Sequence, residues 1–171
     1  MQYSNFPENT RKAELTDLPE VSALFKRAIA HMIDNGIFQW DDIYPDAEAL
    51  QTDIERGEMY LYTINARIMS TFTINQFFDP EYADGNWKYS ARSAASIHRL
   101  CVNPNYQNSG VGTKTVCAAE NILQNGGIKS VRLDAFSQNP AALRLYEKLE
   151  YANVGIAHFR KGLFYLYEKA L

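Results

Sequence analysis

A glycine-containing turn is the part of this sequence best suited to chemistry. It spans residues 107–113 and lies between a strand-like run at 96–102 and a helix-like run that begins near Val111. Two glycines one residue apart let the backbone turn tightly, so that several N–H groups can point at one anion. The positive end of the following helix adds to the same spot. We interpret the turn as a cradle for a pyrophosphate, although many strand-to-helix turns contain glycine and bind nothing.

Two well-known phosphate-binding loops do not fit these residues. A P-loop requires lysine directly after its second glycine, whereas Lys114 follows Thr113 and Gln107 occupies the first glycine position. A dinucleotide-binding turn requires a third glycine where Thr115 stands, although Asp134 loosely matches its acidic residue. What remains is a Gln-x-x-Gly-x-Gly pattern after a strand.

Composition and charge limit the kind of protein. A chain of 171 residues is long enough for one domain with a substantial core, and we expect a single domain over 1–171. The apolar fraction of 46% and the charged fraction of 22% are typical of soluble globular proteins. A net charge of −3 argues against a nucleic-acid binder that uses a broad basic surface.

The cysteines and the N-terminal residues indicate a reducing, cytoplasmic location. Cys101 and Cys117 show no spacing typical of a metal site or a redox pair, so we expect reduced thiols and no metal. Residues 1–10 lack the apolar core of a signal peptide, and no run approaches the ~18 apolar residues of a membrane span.

Hydrophobic periodicity and turn residues predict alternating helices and strands around the glycine turn. Strand, helix and strand in succession across 96–136 imply a right-handed parallel crossover. The predicted helices begin after Asp17, near Asp46, near Val111 and at Pro140; the predicted strands span 11–15, 59–64, 68–75, 96–102, 128–136, 154–159 and 163–168.

Three segments together resemble the GNAT acyltransferase superfamily. They are residues 97–104 (Ile-His-Arg-Leu-Cys-Val-Asn-Pro), 106–112 (Tyr-Gln-Asn-Ser-Gly-Val-Gly) and 139–149 (Asn-Pro-Ala-Ala-Leu-Arg-Leu-Tyr-Glu-Lys-Leu). Their order and spacing match the family, and the resemblance covers the chain from about Arg11 to Glu168. The chain departs from the family at Glu150 and Tyr151, where a Gly-Phe pair usually follows the last helix.

The resemblance implies an α/β fold of the acyl-CoA N-acyltransferase type, a mixed sheet with splayed central strands flanked by helices. It also implies that acetyl-CoA binds between those strands. Pantetheine would pair with the backbone of Leu100, Cys101 and Val102, and Asn139 would hydrogen-bond it. The pyrophosphate would lie on the amides of the turn, which comprises Gln107, Asn108, Ser109, Gly110, Val111, Gly112 and Thr113.

Transfer of an acetyl group to an amine needs an oxyanion donor, an acid and a base. A backbone N–H near Val102 could stabilise the oxyanion. The Tyr146 hydroxyl matches the family position near the thioester sulfur and could protonate the leaving thiolate; its spacing with Ala142 and Leu149 also fits a residue that only packs. His98 matches a strand histidine of the serotonin N-acetyltransferase branch and is the candidate base, with a structural histidine or ordered water as alternatives.

Four other residues could act in the site, but each could equally have an ordinary structural or surface role. Cys101 could form an acetyl-cysteine, but the sequence pairs it with no base. Lys114, Arg144 and Lys148 could reach the coenzyme phosphates or lie on solvated helix faces.

The acceptor-binding segment is expected between the first two helices. Trp40 and Asp41, beside Asp42 and Tyr44, would suit a cationic amine. The alternative is a solvated acidic pair next to a tryptophan that plugs the core.

The sequence therefore indicates an N-acetyltransferase that moves acetyl from acetyl-CoA directly to a primary amine of a small molecule or a peptide N-terminus. The alternative is a non-catalytic acyl-CoA-binding sensor. We expect no nucleic-acid or membrane partner, and a homodimer remains open.

Overall fold

The computed structural model describes residues 7–171. Residues 1–6, on which part of the signal-peptide argument depends, lie outside the described residues. The strands are β1 (Thr10–Lys12), β2 (Met59–Ile64), β3 (Arg67–Asn75), β4 (Ala94–Val102), β5 (Ser130–Phe136), β6 (Ala152–Phe159) and β7 (Gly162–Ala170). The helices are α1 (Leu18–Asp34), α2 (Ala47–Glu55), α3 (Val111–Asn125) and α4 (Pro140–Lys148).

The strands form one seven-stranded sheet in the order β1-β2-β3-β4-β5-β7-β6. Neighbouring strands are antiparallel except β4 and β5, which are parallel and joined through α3. The mixed sheet and the parallel crossover predicted from the sequence are therefore confirmed. The first strand is shorter than predicted, because residues 15–17 form a helical turn in which Asp17 accepts a hydrogen bond from the Glu14 backbone.

Helices cover both faces of the sheet. On the α1 face, Val21, Leu24 and Phe25 of α1 pack with Leu61 and Cys101 of the sheet. On the α3 face, the sheet packs against α3 and α4 through a second core, which includes Phe72, Val116, Val131, Leu133 and Tyr146. Side chains alternate along each strand, so successive strand residues belong to different faces.

The two central strands separate after a short paired stretch. Pairing between β4 and β5 is confined to Ala94–Ser96 with Ser130–Arg132. Beyond this stretch β4 continues to Val102 and β5 to Phe136, and β5 stays paired with β7 on its other side. The sheet therefore opens between β4 and β5, as the predicted fold requires.

A β-bulge lies in β4 beside this opening. Thr71 pairs with Cys101 and Thr73 with His98, so β4 has one more residue than β3 between these pairs. Arg99 is in the left-handed region with φ of 47°, a conformation that is uncommon for a residue with a side chain.

A buried ion pair holds the bulge in place. The Arg99 guanidinium donates to both carboxylate oxygens of Asp53 in α2, at 2.6 and 2.7 Å. Thr73 Oγ1 donates to the same carboxylate at 2.9 Å, and Arg99 Nη1 donates to the Tyr44 hydroxyl at 2.6 Å. One side chain thus connects β4, α2 and the segment between α1 and α2.

Within residues 7–171, no helix has both the length and the apolar character needed to cross a membrane.

Replacing Asp53 with asparagine should lower the free energy of unfolding by about 3 kcal/mol, because the buried Arg99 guanidinium would lose its counter-charge. Urea denaturation measures the change. The control is Asp17→Asn, whose partner Arg11 lies 2.7 Å away with a side chain that is 48% exposed. An exposed pair of this kind should contribute less than about 1 kcal/mol, so equal losses in the two variants would contradict the role given to Asp53.

Candidate active site

A cleft of about 890 Å³ lies at the opening between β4 and β5. Its walls come from α1, the end of β4, the end of β5, the start of α3 and the length of α4. The residues that were predicted as site residues and that line this cleft are Trp40, Leu100, Cys101, Val102, Gln107, Asn108, Gly110, Gly112, Thr113, Asn139 and Tyr146. His98, Asp41, Ser109 and Val111 are not among the lining residues.

The glycine turn presents backbone amides to the cleft. Gly110 precedes α3 with φ of 83°, and a Cβ there would meet no atom within 4 Å, so glycine is favoured by its backbone conformation. The first intrahelical bond runs from Lys114 N to Gly110 O. The N–H groups of the first turn have no partner inside the helix, so this end of α3 can receive an anion.

The neighbouring residues of the turn have structural roles. Ser109 Oγ donates to the Tyr106 carbonyl, and the Val111 side chain packs with Tyr62 and Met69. At Gly112, a Cβ would lie 3.3 Å from Leu145 of α4. Glycine here allows the close approach of α3 and α4 on one side of the cleft.

Residues 100–102 form one edge of the opening. Cys101 is 2% exposed, and burial raises the pKa of its thiol to about 12. A thiol with this pKa stays protonated at neutral pH, and the nucleophilic form is the thiolate. The structure thus offers no support for an acetyl-cysteine intermediate.

Asn139 caps α4 and also contacts the segment between α1 and α2. Its Oδ1 accepts from Ala142 N at 3.2 Å, and its Nδ2 donates to Gln39 Oε1 at 2.8 Å. Gln39 lines the cleft as well. Asn139 Nδ2 carries two hydrogens, so one donor remains for another acceptor in the cleft.

Tyr146 lies about two helical turns after Asn139, in α4, and is 7% exposed. Its ring contacts those of Tyr151 and Tyr167, with centroids 5.6 and 6.0 Å apart. Burial, followed by the negative charge of Asp134, raises the pKa of Tyr146 above its ordinary value. The hydroxyl is therefore protonated at neutral pH and can act as a donor.

His98 is not among the residues that line the cleft. Its Nε2 lies 3.1 Å from Asn75 Oδ1 and 3.1 Å from the Phe77 carbonyl. Both partners are acceptors, because Asn75 Nδ2 donates to Glu58, so we assign the ring proton to Nε2. Burial and the charge of Arg99 lower the pKa of His98 to about 4.

Residues 37–46, which we call the strap, connect α1 with α2 across the acceptor side of the predicted site. Trp40 lines the cleft and packs against Phe25, with ring centroids 5.4 Å apart. Asp41 instead accepts from Arg160 at 2.8 and 2.9 Å and from Lys161 at 3.2 Å, in the turn between β6 and β7. These contacts lower the pKa of Asp41 and occupy its carboxylate.

Asp134 of β5 is an ionisable cleft residue that the sequence analysis did not assign to the site. Its Oδ2 accepts a hydrogen bond from the Tyr82 hydroxyl at 2.7 Å. Burial raises the pKa of its carboxyl to about 6. β5 alternates apolar residues with Ser130, Arg132 and Asp134, and a carboxylate in a mostly buried strand is the signal that could have identified it. Within residues 7–171, no group of three or more His, Cys, Asp or Glu residues is placed to hold a metal ion.

Solved structures with this fold cover nearly the whole chain. A GNAT-family acetyltransferase from Streptococcus agalactiae matches with a TM-score of 0.82 at 18% identity, over 95% of this chain and 94% of that one. The ribosomal-protein-S18-alanine N-acetyltransferase from Escherichia coli matches with a TM-score of 0.69 at 19% identity, over 94% and 92%. The PaiA N-acetyltransferase from Thermoplasma acidophilum, in complex with coenzyme A, matches with a TM-score of 0.69 at 18% identity, over 95% and 98%.

No curated protein matches the chain in sequence. The model of the Acetyltransferase (GNAT) family, however, matches residues 29–151, which include the glycine turn, both central strands and α4. The chain therefore belongs to the GNAT acetyltransferase family.

Proposed function

We propose that this protein transfers an acetyl group from acetyl-CoA directly to a primary amine of a small molecule or a peptide N-terminus. The observation that carries this proposal is the cleft at the opening of the sheet. It brings together the amide-rich turn, the backbone edge at 100–102, Asn139 and Tyr146. The presence of coenzyme A in the structurally similar Thermoplasma protein supports the choice of donor.

In this proposal the coenzyme occupies the cleft along its length. The pyrophosphate accepts hydrogen bonds from the first amides of α3, where the helix dipole also favours negative charge. Arg144 and Lys148 line the same cleft and can approach the phosphates. The pantetheine arm pairs with the β4 edge at 100–102, which β5 leaves open, and Asn139 donates to it.

The reaction needs a new C–N bond and a broken C–S bond. The amine nitrogen attacks the thioester carbonyl carbon, and a backbone N–H of β4 near Val102 stabilises the oxyanion. When the intermediate collapses, the C–S bond breaks and the thiolate takes the Tyr146 proton. The sequence predicts His98 as the group that takes the ammonium proton, but His98 does not line the cleft, whereas the carboxylate of Asp134 does.

Thiol release from acetyl-CoA is the direct test of this function. The acceptor panel contains spermidine, glucosamine, free amino acids and short peptides with a free N-terminus, each assayed with a thiol reagent. Thiol release that depends on one of these amines is the expected result. Tight binding of coenzyme A without release for any amine would instead favour the non-catalytic sensor.

Replacing Gly110 with glutamate should abolish measurable coenzyme A binding, because the new carboxylate would lie where the pyrophosphate must bind. Isothermal titration with coenzyme A measures the effect. Gly127→Glu is the matched control: Gly127 also has positive φ, at 81°, and open space around a Cβ, and it does not line the cleft. Equal affinity loss in both variants would contradict the proposed cradle.

Replacing Tyr146 with phenylalanine should lower kcat by about 100-fold, the usual size of a general-acid contribution, and leave coenzyme A affinity unchanged. Steady-state kinetics and calorimetry separate the two. Tyr151→Phe is the control, since its hydroxyl donates to Glu120 outside the cleft lining. A fully active Tyr146→Phe enzyme would show that the Tyr146 hydroxyl is not the acid and that the side chain contributes only to packing.

Replacing Asp41 with asparagine should raise KM for the amine about two- to fivefold and leave KM for acetyl-CoA unchanged, because an exposed ion pair that holds the strap is lost. Arg160→Gln distinguishes this from direct binding of the amine by Asp41. If the pair only holds the strap, Arg160→Gln raises the amine KM too. A lower amine KM in Arg160→Gln would show that the freed carboxylate binds the amine.

A further inference from the structure

We propose that Asp134, from the α1 face of the opening, takes the proton from the protonated primary amine that this enzyme acetylates. This inference rests on the proposed function and deepens it, since it names both the proton acceptor and the charge of the acceptor substrate.

The position of Asp134 fits this role. It lies in β5 beyond the stretch that pairs with β4, and it lines the cleft together with Tyr146 and the β4 edge. Its neighbours Leu133 and Ala135 belong to the core on the α3 face. Side chains alternate along a strand, so Asp134 points to the α1 face, where the strap lies, whereas Tyr146 approaches from α4 on the α3 face.

Acid and base are therefore separated by the sheet. The Tyr146 hydroxyl approaches the thioester from the side of α4, where the coenzyme would lie. The Asp134 carboxylate faces the side from which the amine would enter. A direct transfer needs this arrangement, because one proton is taken from the amine nitrogen and a different proton is delivered to the sulfur.

The partner of Asp134 also distinguishes it from the other buried acids. Asp53 is paired with Arg99, and Glu168 lies 3.8 Å from Arg132. Asp134 accepts its hydrogen bond from the neutral Tyr82 hydroxyl. Among the described residues, no lysine or arginine forms an ion pair with it. A half-buried carboxylate of this kind is not neutralised by a cation and can receive a proton.

The groups that face Asp134 set its basicity. Burial raises the pKa of Asp134 to about 6, and the negative charge of Asp79 acts in the same direction. The Tyr82 hydrogen bond and the positive charge of Arg99 oppose this rise. Tyr44 and Tyr146, whose own pKa values the charge of Asp134 raises, complete the ionisable surroundings. At pH 7 the carboxylate is mostly ionised, yet it is a stronger base than an ordinary aspartate.

The proton balance of the step is simple. The ammonium nitrogen gives one proton to an Asp134 oxygen, and its freed lone pair forms the C–N bond with the acetyl carbon. When the C–S bond breaks, Tyr146 gives its proton to the thiolate, and the nitrogen loses its second excess proton, which restores the Tyr146 hydroxyl through water in the cleft. After the product leaves, Asp134 loses the first proton to water in the open cleft. The two carboxyl groups of Asp134 and Asp79 favour an acceptor that arrives as a cation, so we assign the substrate class to amines that are protonated at neutral pH.

The test uses acetyl-CoA and the panel amine that gives the highest thiol release with the wild-type protein. Asp134→Asn should lower kcat/KM at least about 100-fold and remove the decline in activity below about pH 6. The wild-type enzyme should show this decline, because protonation of the carboxylate abolishes the base. Calorimetry with coenzyme A should give the same affinity for both proteins.

Tyr82→Phe is the matched variant, because it removes the hydrogen bond but keeps the carboxylate. Without this donor the carboxylate is less stabilised, so the acidic limb of the pH profile should move to higher pH. A residue that merely shapes the turn at 80–84 would instead make Tyr82→Phe as defective as Asp134→Asn at every pH. If Asp134→Asn does not fold, the wild-type and Tyr82→Phe profiles still decide the question.

Three results would overturn the inference alone: near wild-type kcat/KM in Asp134→Asn, an acidic limb that stays in place in Tyr82→Phe, or loss of that limb in His98→Gln. Absence of thiol release from the wild-type protein with every amine would overturn the proposed function, and the inference with it. The two failures are therefore distinguishable.

Discussion

The ion pair between Arg99 and Asp53 is the interaction that holds β4 in its bulged path beside the opening of the sheet. Arg99 has a left-handed backbone conformation within a strand, which is unfavourable unless other contacts stabilise it. The bidentate contact with Asp53 fixes the guanidinium in a site where the side chains of Arg99 and Asp53 are only 14% and 6% exposed. Because Arg99 also donates to Tyr44, the bulge and the strap are held by the same guanidinium.

The bulge also determines which residues face the cleft. It places His98 and Arg99 on the α1 face one after the other, and Leu100 then returns to the α3 face, where it packs against the core. β4 has already separated from β5 after Ser96, so the bulge lies within the part of β4 whose edge is open at 100–102. The extra residue in β4 thus sets which face each residue of this edge points to, along the backbone that the proposed function assigns to pantetheine.

Much of this arrangement follows from the sequence, because it depends on local patterns. Periodic apolar residues indicate the helices, glycine and proline mark their ends, and three short motifs predict the parallel crossover and the cleft. The face of β4 on which His98 lies could not be predicted from the sequence. Simple alternation would place His98 on the same face as Leu100 and Val102. The bulge residue with the left-handed backbone is Arg99. A glycine at this position would have indicated a bulge in the sequence, whereas an arginine does not.

Contacts between distant parts of the chain account for the other differences. Asp41 pairs with a residue 119 positions away, so its sequence neighbours Trp40 and Asp42 do not reveal that its charge is neutralised. Asp134 resembles the conserved acid of a nucleotide fold when only spacing is considered. The sequence does not show that its carboxylate accepts a hydrogen bond from Tyr82, which lies 52 positions earlier.

The strap links the two halves of the proposed reaction through Asn139. One hydrogen of its amide nitrogen is donated to Gln39 of the strap, and under the proposed function the other would be donated to the pantetheine arm. Its oxygen is fixed by the cap of α4, so the amide cannot rotate to serve one partner without losing the cap. The coenzyme and the acceptor side would therefore contact the same rigid side chain. Under the proposed function, binding of acetyl-CoA should favour the position of the strap that the Gln39 contact defines, and the acceptor pocket and the donor site would not be independent.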